Sequence, residues 1–152
     1  MASLREYLDP ACVAVDVRAA DKEEAIRALV HIADSAAGVK DPELLVRDIL
    51  ERERLAPTGL GESCAVPHAH SDGIADTRLV FARLAAPVDF GAPDDKDAHL
   101  VVLMAGPRDS AGLHLKLLSK LARMLHDADF RAAALAAPDA GILAQLIFDR
   151  DS

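Results

Sequence analysis

The apolar positions follow two rhythms, and these mark out the elements. Cys12–Val17 is rich in Val and predicts a first strand. Asp21-Lys-Glu-Glu24 then fits a capping-box start. Ile26, Leu29, Val30 and Ala33 recur at helical spacing, and Gly38 ends the segment. Asp41-Pro42-Glu43 opens a second helix with an N-cap, a proline at the first position and an acid in the first turn. Leu45, Val46, Ile49 and Leu50 form its apolar face. Between 56 and 67 the rhythm stops. Thr58, Gly59, Gly61, Ser63 and Pro67 read as loop, interrupted by a short strand at Cys64–Val66. Arg78–Leu84 and His99–Ala105 predict two further strands, separated by the turn cluster Gly91-Ala-Pro93-Asp-Asp95. The second is apolar on both faces, which predicts a central, fully covered strand. Helical segments at 110–126, 127–137 and 139–148 complete the chain. Strands interspersed with helices predict an α/β fold, one sheet covered by helices. No repeat, low-complexity tract or long linker appears, so residues 1–152 are expected to form a single domain.

Composition narrows the function. Hydrophobic residues make up 51% and charged residues 28% of the chain, a globular balance. Aromatics are only 3%, so Ala, Leu, Val and Ile are expected to build the core. Seventeen Lys+Arg against 25 Asp+Glu give a net charge of −8. A nucleic-acid binder needs a basic footprint for phosphates, so DNA and RNA are excluded as main ligands, and an anionic membrane surface is disfavoured. Cys12 and Cys64 make neither a disulfide framework nor a zinc knuckle. No apolar signal core opens the chain, and the run Leu100–Gly106 is far too short to span a membrane. A cytoplasmic protein, not inserted in a membrane, is expected.

The candidate chemistry lies in the six histidines. His31 and His126 sit in predicted helices among ordinary neighbours, and His99 opens a strand; these read as structural or exposed. His68 ends the Gly-containing loop directly after Pro67, which fixes one backbone angle and so holds the next imidazole in a defined direction. Neutral imidazole is a competent nucleophile and leaving group near neutral pH. His114 precedes Leu117, Leu118, Leu121 and Leu125 at spacings that put it on the buried face of its helix. It also lies in the first turn, where free N–H groups and the positive dipole end suit an anion. It reads either as a core histidine or as a second imidazole facing a site. Arg52, by spacing alone, is a solvated charge at a helix end.

The stretch Arg52-Glu-Arg-Leu-Ala-Pro-Thr-Gly-Leu-Gly-Glu-Ser-Cys-Ala-Val-Pro-His68 resembles the signature of the fructose/mannitol-type (type 2) enzyme IIA domain of the bacterial phosphoenolpyruvate-dependent sugar phosphotransferase system. His68-Ala-His-Ser-Asp72 resembles its fructose-specific branch. Pro87-Val-Asp-Phe-Gly-Ala-Pro93 and His114-Leu-Lys-Leu-Leu-Ser-Lys-Leu-Ala122 also match the pattern, so the resemblance covers essentially the whole chain in order. It implies a single mixed sheet of about five strands flanked by helices on both faces. It also implies a phosphoryl carrier that accepts phosphate from the histidine phosphocarrier protein and passes it to enzyme IIB, with no cofactor or metal. Carried over residue by residue, the acceptor is His68, expected to react at Nε2, the second active-site histidine is His114 and the site arginine is Arg52. Glu62 falls in the same motif without an evident role. Two positions depart from the pattern. Ser63 stands where many members have Gly, and His70 stands where fructose-type members often carry Lys or Arg. The nitrogen-regulatory branch, which signals by phosphorylation-dependent binding to target proteins, shares the same histidine.

Phosphoryl transfer needs positioning and charge stabilisation more than covalent machinery. Arg52 and His114 are the candidates to meet the phosphoryl charge. The second ring nitrogen of His68 needs an acceptor that the sequence does not identify. Leu60 and Ile74 are expected as apolar residues on an exposed docking rim. Two other chemistries compete. His68, His70 and His114 could form a three-histidine zinc site of a hydrolase, and Cys64 could be a thiol nucleophile with His68 as base.

Overall fold

The computed structural model describes residues 3–151. Two 3-10 turns, Leu4–Glu6 and Pro10–Cys12, precede strand β1 (Val13–Val17). Helices α1 (Lys22–Ala37) and α2 (Pro42–Leu55) follow. The short strands β2 (Gly59–Gly61), β3 (Cys64–Ala65) and β4 (His68–His70) then lead to the long strands β5 (Arg78–Val88) and β6 (Ala98–Gly106). Helices α3 (Ala111–His126), α4 (Ala128–Ala136) and α5 (Ala140–Arg150) finish the chain.

The helix starts are where the capping residues put them. Asp21 accepts from the Glu24 amide and Asp41 from the Leu44 amide, each satisfying a donor that the first turn leaves free. The Glu24 carboxylate reaches back to the amide of Ala20, one residue short of a closed capping box.

The sheet runs β1-β5-β6-β3-β2, with β4 also paired to β6. β1 is parallel to β5, β5 antiparallel to β6, and β3 and β4 are both parallel to β6, so the sheet is mixed. It has six strands, against the expected five or so, because the loop around Pro67 folds as separate short strands. Leu79–Leu84 and Leu100–Gly106 are buried at every position. Successive side chains alternate between faces, so both faces of the sheet are covered by helices. On one of them Phe81 meets Phe130 of α4 edge to face, at 6.2 Å between ring centroids. The core is aliphatic as expected, and all four phenylalanines join it.

Arg83, buried on the same face of β5 as Phe81, donates to the carbonyls of Ala134, Leu135 and Ala137 and so closes the C-terminal end of α4. No helix among the described residues is long and apolar enough to cross a membrane.

Candidate active site

The site forms where the chain leaves the C-terminal end of β6. Pro67 cannot donate, but its carbonyl accepts from the Met104 amide and fixes the entry into β4. β4 then pairs in register with the end of β6: His68 with Met104, Ala69 with Ala105, His70 with Gly106. His68 therefore opens a strand, where the sequence reading had it ending a loop. The period-two pleat places His68 and His70 on the same side of β4, with Ala69 buried between them.

The ring of His68 is half-buried, and its Nδ1 lies 2.8 Å from the carbonyl oxygen of Val66. A carbonyl only accepts, so Nδ1 carries the proton and Nε2 keeps its lone pair. This carbonyl is the acceptor that sequence left unidentified. Burial is the main influence on His68's proton affinity and lowers it below the ordinary 6.5. The Val66 carbonyl and Glu53 act upward, and Arg52 and His70 act downward. The group at neutral pH is an uncharged imidazole with one fixed tautomer.

His114 is buried on α3, at 3% exposure, as its helical spacing predicted. Its Nε2 sits 3.0 Å from the Ser110 hydroxyl and 3.3 Å from the Thr77 hydroxyl. The Ser110 hydroxyl donates to the Pro107 carbonyl at 2.6 Å, so it accepts from Nε2–H of His114. That leaves Nδ1 as a bare acceptor, and it is the buried side-chain polar atom without a partner among the described residues. Desolvation first, then the neighbouring His70 and His68, push the proton affinity of His114 down to about 4. Gly106 makes this placement feasible. A Cβ there would lie 2.4 Å from His114 Nε2 and 2.5 Å from the Thr77 hydroxyl.

His70 stacks on His114, with centroids 4.3 Å apart and planes 12° apart, and its Nδ1 donates to the Pro107 carbonyl at 3.1 Å. Stacked rings aim their nitrogens side by side instead of at a common point. No group of three or more His, Cys, Asp or Glu among the described residues is placed to hold a metal ion. The three-histidine zinc reading fails on that geometry.

Arg52 is half-buried in the last turn of α2. Its guanidinium folds back to donate to the Ala56 carbonyl at 3.1 Å, and it lies near enough to act on the charge of His68. The structure thus brings His68, His114 and Arg52 into one neighbourhood. His31 and His126 are exposed and His99 is half-buried, on α1, at the end of α3 and near the start of β6.

Three other expectations are corrected or explained. Ile74 is 4% exposed and belongs to the core, because the turn after β4 tucks it inward, so it is no docking-rim residue. Leu60 is exposed as expected, and Leu55 and Leu115 are also exposed. Cys64 is buried, and desolvation raises its thiol to about 11, so the thiolate needed for nucleophilic attack is absent at neutral pH. Glu62 and Ser63 form the β2–β3 turn in left-handed backbone conformation, at φ 54° and 61°. The Glu62 amide donates to Asp94, and its carboxylate pairs with Lys96 and Arg131. Glu62 therefore ties down the turn.

Sequence reasoning passed over Thr77, Ser110, Gly106, Glu53 and the stacking role of His70. Ser110 occupies the N-cap position of α3, a signal that was available. Thr77 lies outside every motif.

These features define an α/β domain that presents one tautomerically fixed, uncharged imidazole beside a second buried one. The family described as "Phosphoenolpyruvate-dependent sugar phosphotransferase system, EIIA 2" matches residues 6–149, and the chain belongs to it. A fructose-specific EIIA component from Haloferax volcanii is 39% identical over 78% of this chain and 77% of its own length. A nitrogen regulatory protein from Pseudomonas aeruginosa is 30% identical over 98% of this chain and 97% of its own. The crystal structure of the nitrogen regulatory protein IIA-Ntr from Neisseria meningitidis superposes with a TM-score of 0.84 at 25% identity, over 93% of this chain and 97% of that one. IIA mannitol from Escherichia coli gives 0.71 at 32% identity, over 88% and 94%. Against the fructose-specific EIIABC component of Bacillus subtilis the chain spans 23% of the relative's length.

Proposed function

We propose that this chain is a single IIA domain over residues 1–152 that carries a phosphoryl group on His68 Nε2. It takes the group from the histidine phosphocarrier protein and passes it to an enzyme IIB for sugar uptake of fructose type. The observation that carries this reading is the bond from His68 Nδ1 to the Val66 carbonyl, which leaves Nε2 unprotonated. In the transfer, the Nε2 lone pair forms an N–P bond as the donor's P–N bond breaks. The bonding pair stays on the donor's nitrogen, and Nδ1 of His68 keeps its proton. Arg52 meets the phosphoryl oxygens. His114, neutral beforehand, takes up a proton from solvent water at its bare Nδ1 as the dianion arrives and then meets it as a cation. The exposed Leu55, Leu60 and Leu115 suit transient partners that dock in turn, and the net charge of −8 favours a basic partner face and faster encounter at low salt. The place of action is the cytoplasm.

The test is intact mass after incubation with phosphoenolpyruvate, enzyme I and the phosphocarrier protein. Wild type gains one acid-labile phosphoryl group and His68→Ala gains none. No gain in wild type refutes the carrier reading.

A second reading rests on the similarity to nitrogen regulatory proteins along nearly the whole chain: the same phosphohistidine would act as a signal. A chase of the phosphorylated protein with a fructose-type enzyme IIB separates the two. Rapid loss of the label supports transport, and a retained label supports the regulatory branch.

A further inference from the structure

Glu53 is a carboxylate at 3% exposure, placed one residue after Arg52 on α2. Burying a charge is costly unless donors compensate, so its partners indicate what it is for. Its Oε2 accepts from the Thr58 amide at 2.9 Å and from Lys22 Nζ at 3.2 Å, and its Oε1 accepts from the Thr58 hydroxyl. Thr58 is thus held at both its amide and its side chain. The carbonyl of the same Thr58 accepts from the Val66 amide at 3.1 Å, and the carbonyl of Val66 accepts from His68 Nδ1 at 2.8 Å. Each residue in this series is held by the one before it and holds the next. The series ends on the nitrogen that decides which tautomer His68 adopts.

We propose that Glu53 is a positioning residue for His68: through Thr58 and Val66 it fixes the carbonyl that keeps the proton on Nδ1 and the lone pair on Nε2. The arrangement does at two removes what a carboxylate bonded directly to an imidazole does in a hydrolase triad. Its negative charge acts separately from this bonded series: it raises the proton affinity of the ring against Arg52, and so sets where His68 titrates. The charged and titratable groups that face His68 are Arg52 and Glu53 from α2, His70 on its own strand and His114 from α3. Glu53 is the one anion among these four. The inference rests on His68 as the reacting group, so its test has a part that does not depend on phosphorylation.

Nitrogen NMR of the unphosphorylated protein across pH reads the tautomer and the titration of His68 directly. In Glu53→Gln the charge goes while the shape stays. The titration of His68 moves to lower pH and the Nε2–H tautomer gains population. Phosphoryl uptake slows about tenfold with the donor's KM retained, the scale on which loss of an outer partner of a working imidazole is felt. The acid limb of the uptake–pH profile shifts down with the NMR titration. A folded Glu53→Gln protein with an unmoved tautomer and titration overturns the proposal. Should that variant fail to fold, Thr58→Val carries the test. It keeps the carboxylate and the amide but removes the hydroxyl, and an unchanged His68 nitrogen pattern there overturns it equally. Absence of phosphorylation in wild type would sink the carrier reading and leave the NMR result standing.

Discussion

Protonating His114 should cost the fold much of its stability, and the cost can be worked out. In the folded chain this group binds its proton only near pH 4, against an ordinary 6.5, because it is desolvated and faces two other imidazoles. The sign follows from linkage. Between those values the unfolded chain binds the proton and the folded chain does not, so stability is fully present above pH 6.5 and drains away as pH falls toward 4. At about 1.4 kcal/mol per pH unit, acidification from pH 7 to pH 4.5 removes about 2.5 kcal/mol through this residue alone. His68 is depressed too and adds in the same direction. The assay is urea unfolding at both pH values for wild type and for His114→Phe, which keeps a ring in place but cannot titrate. Carboxylates titrate alike in both proteins and cancel in the difference. The wild type should lose about 2.5 kcal/mol more than the variant on acidification. A difference below about 0.5 kcal/mol would mean that the ring is not held neutral, and the desolvation argument would fail.

Two further substitutions probe the frame of the site. Gly106→Ala would force a Cβ against His114 Nε2 and the Thr77 hydroxyl, so it should destabilise by about 1–3 kcal/mol and break the His70–His114 stack; an unshifted thermal midpoint and unmoved His114 ring signals would contradict that close approach. Ser63→Gly should raise stability by roughly 0.5–1 kcal/mol, because φ at 61° strains a residue with a Cβ and suits Gly; a lowered urea midpoint would show that the Ser63 side chain contributes more than the strain costs.

The long elements were legible because each carried its own punctuation. Asp21 and Asp41 announced helices that begin one residue later, and the uninterrupted apolar run of β6 announced a strand covered on both sides. The segment from Thr58 to His70 was not legible in that way. Strands of two or three residues have too few positions to show a period, and β3 and β4 take their pairing from β6, 36 residues further on. The site divides along the same line. His68 and His114 stood out through Pro67 and through helical phase, both local signals. Their protonation states did not, because each rests on the course of the backbone: a bend lays the carbonyl of Val66, two residues back, on one ring, and the fold brings Thr77 and the bare backbone of Gly106 to the other beside its helix neighbour Ser110.

His70 stands where the family resemblance led to the expectation of a basic side chain, and its contacts show what it does there instead. A Lys or Arg at this position would add a permanent charge beside His68 and Arg52. His70 instead gives its Nδ1 proton to Pro107 and spends its face on His114. Its ring covers one face of His114, and its charge is among the influences that lower the proton affinity of that ring. Among the groups that act on His68 and His114, the permanent cation is Arg52. A cluster with one permanent cation beside two neutral rings, His68 and His114, holds little positive charge and repels an approaching basic surface only weakly.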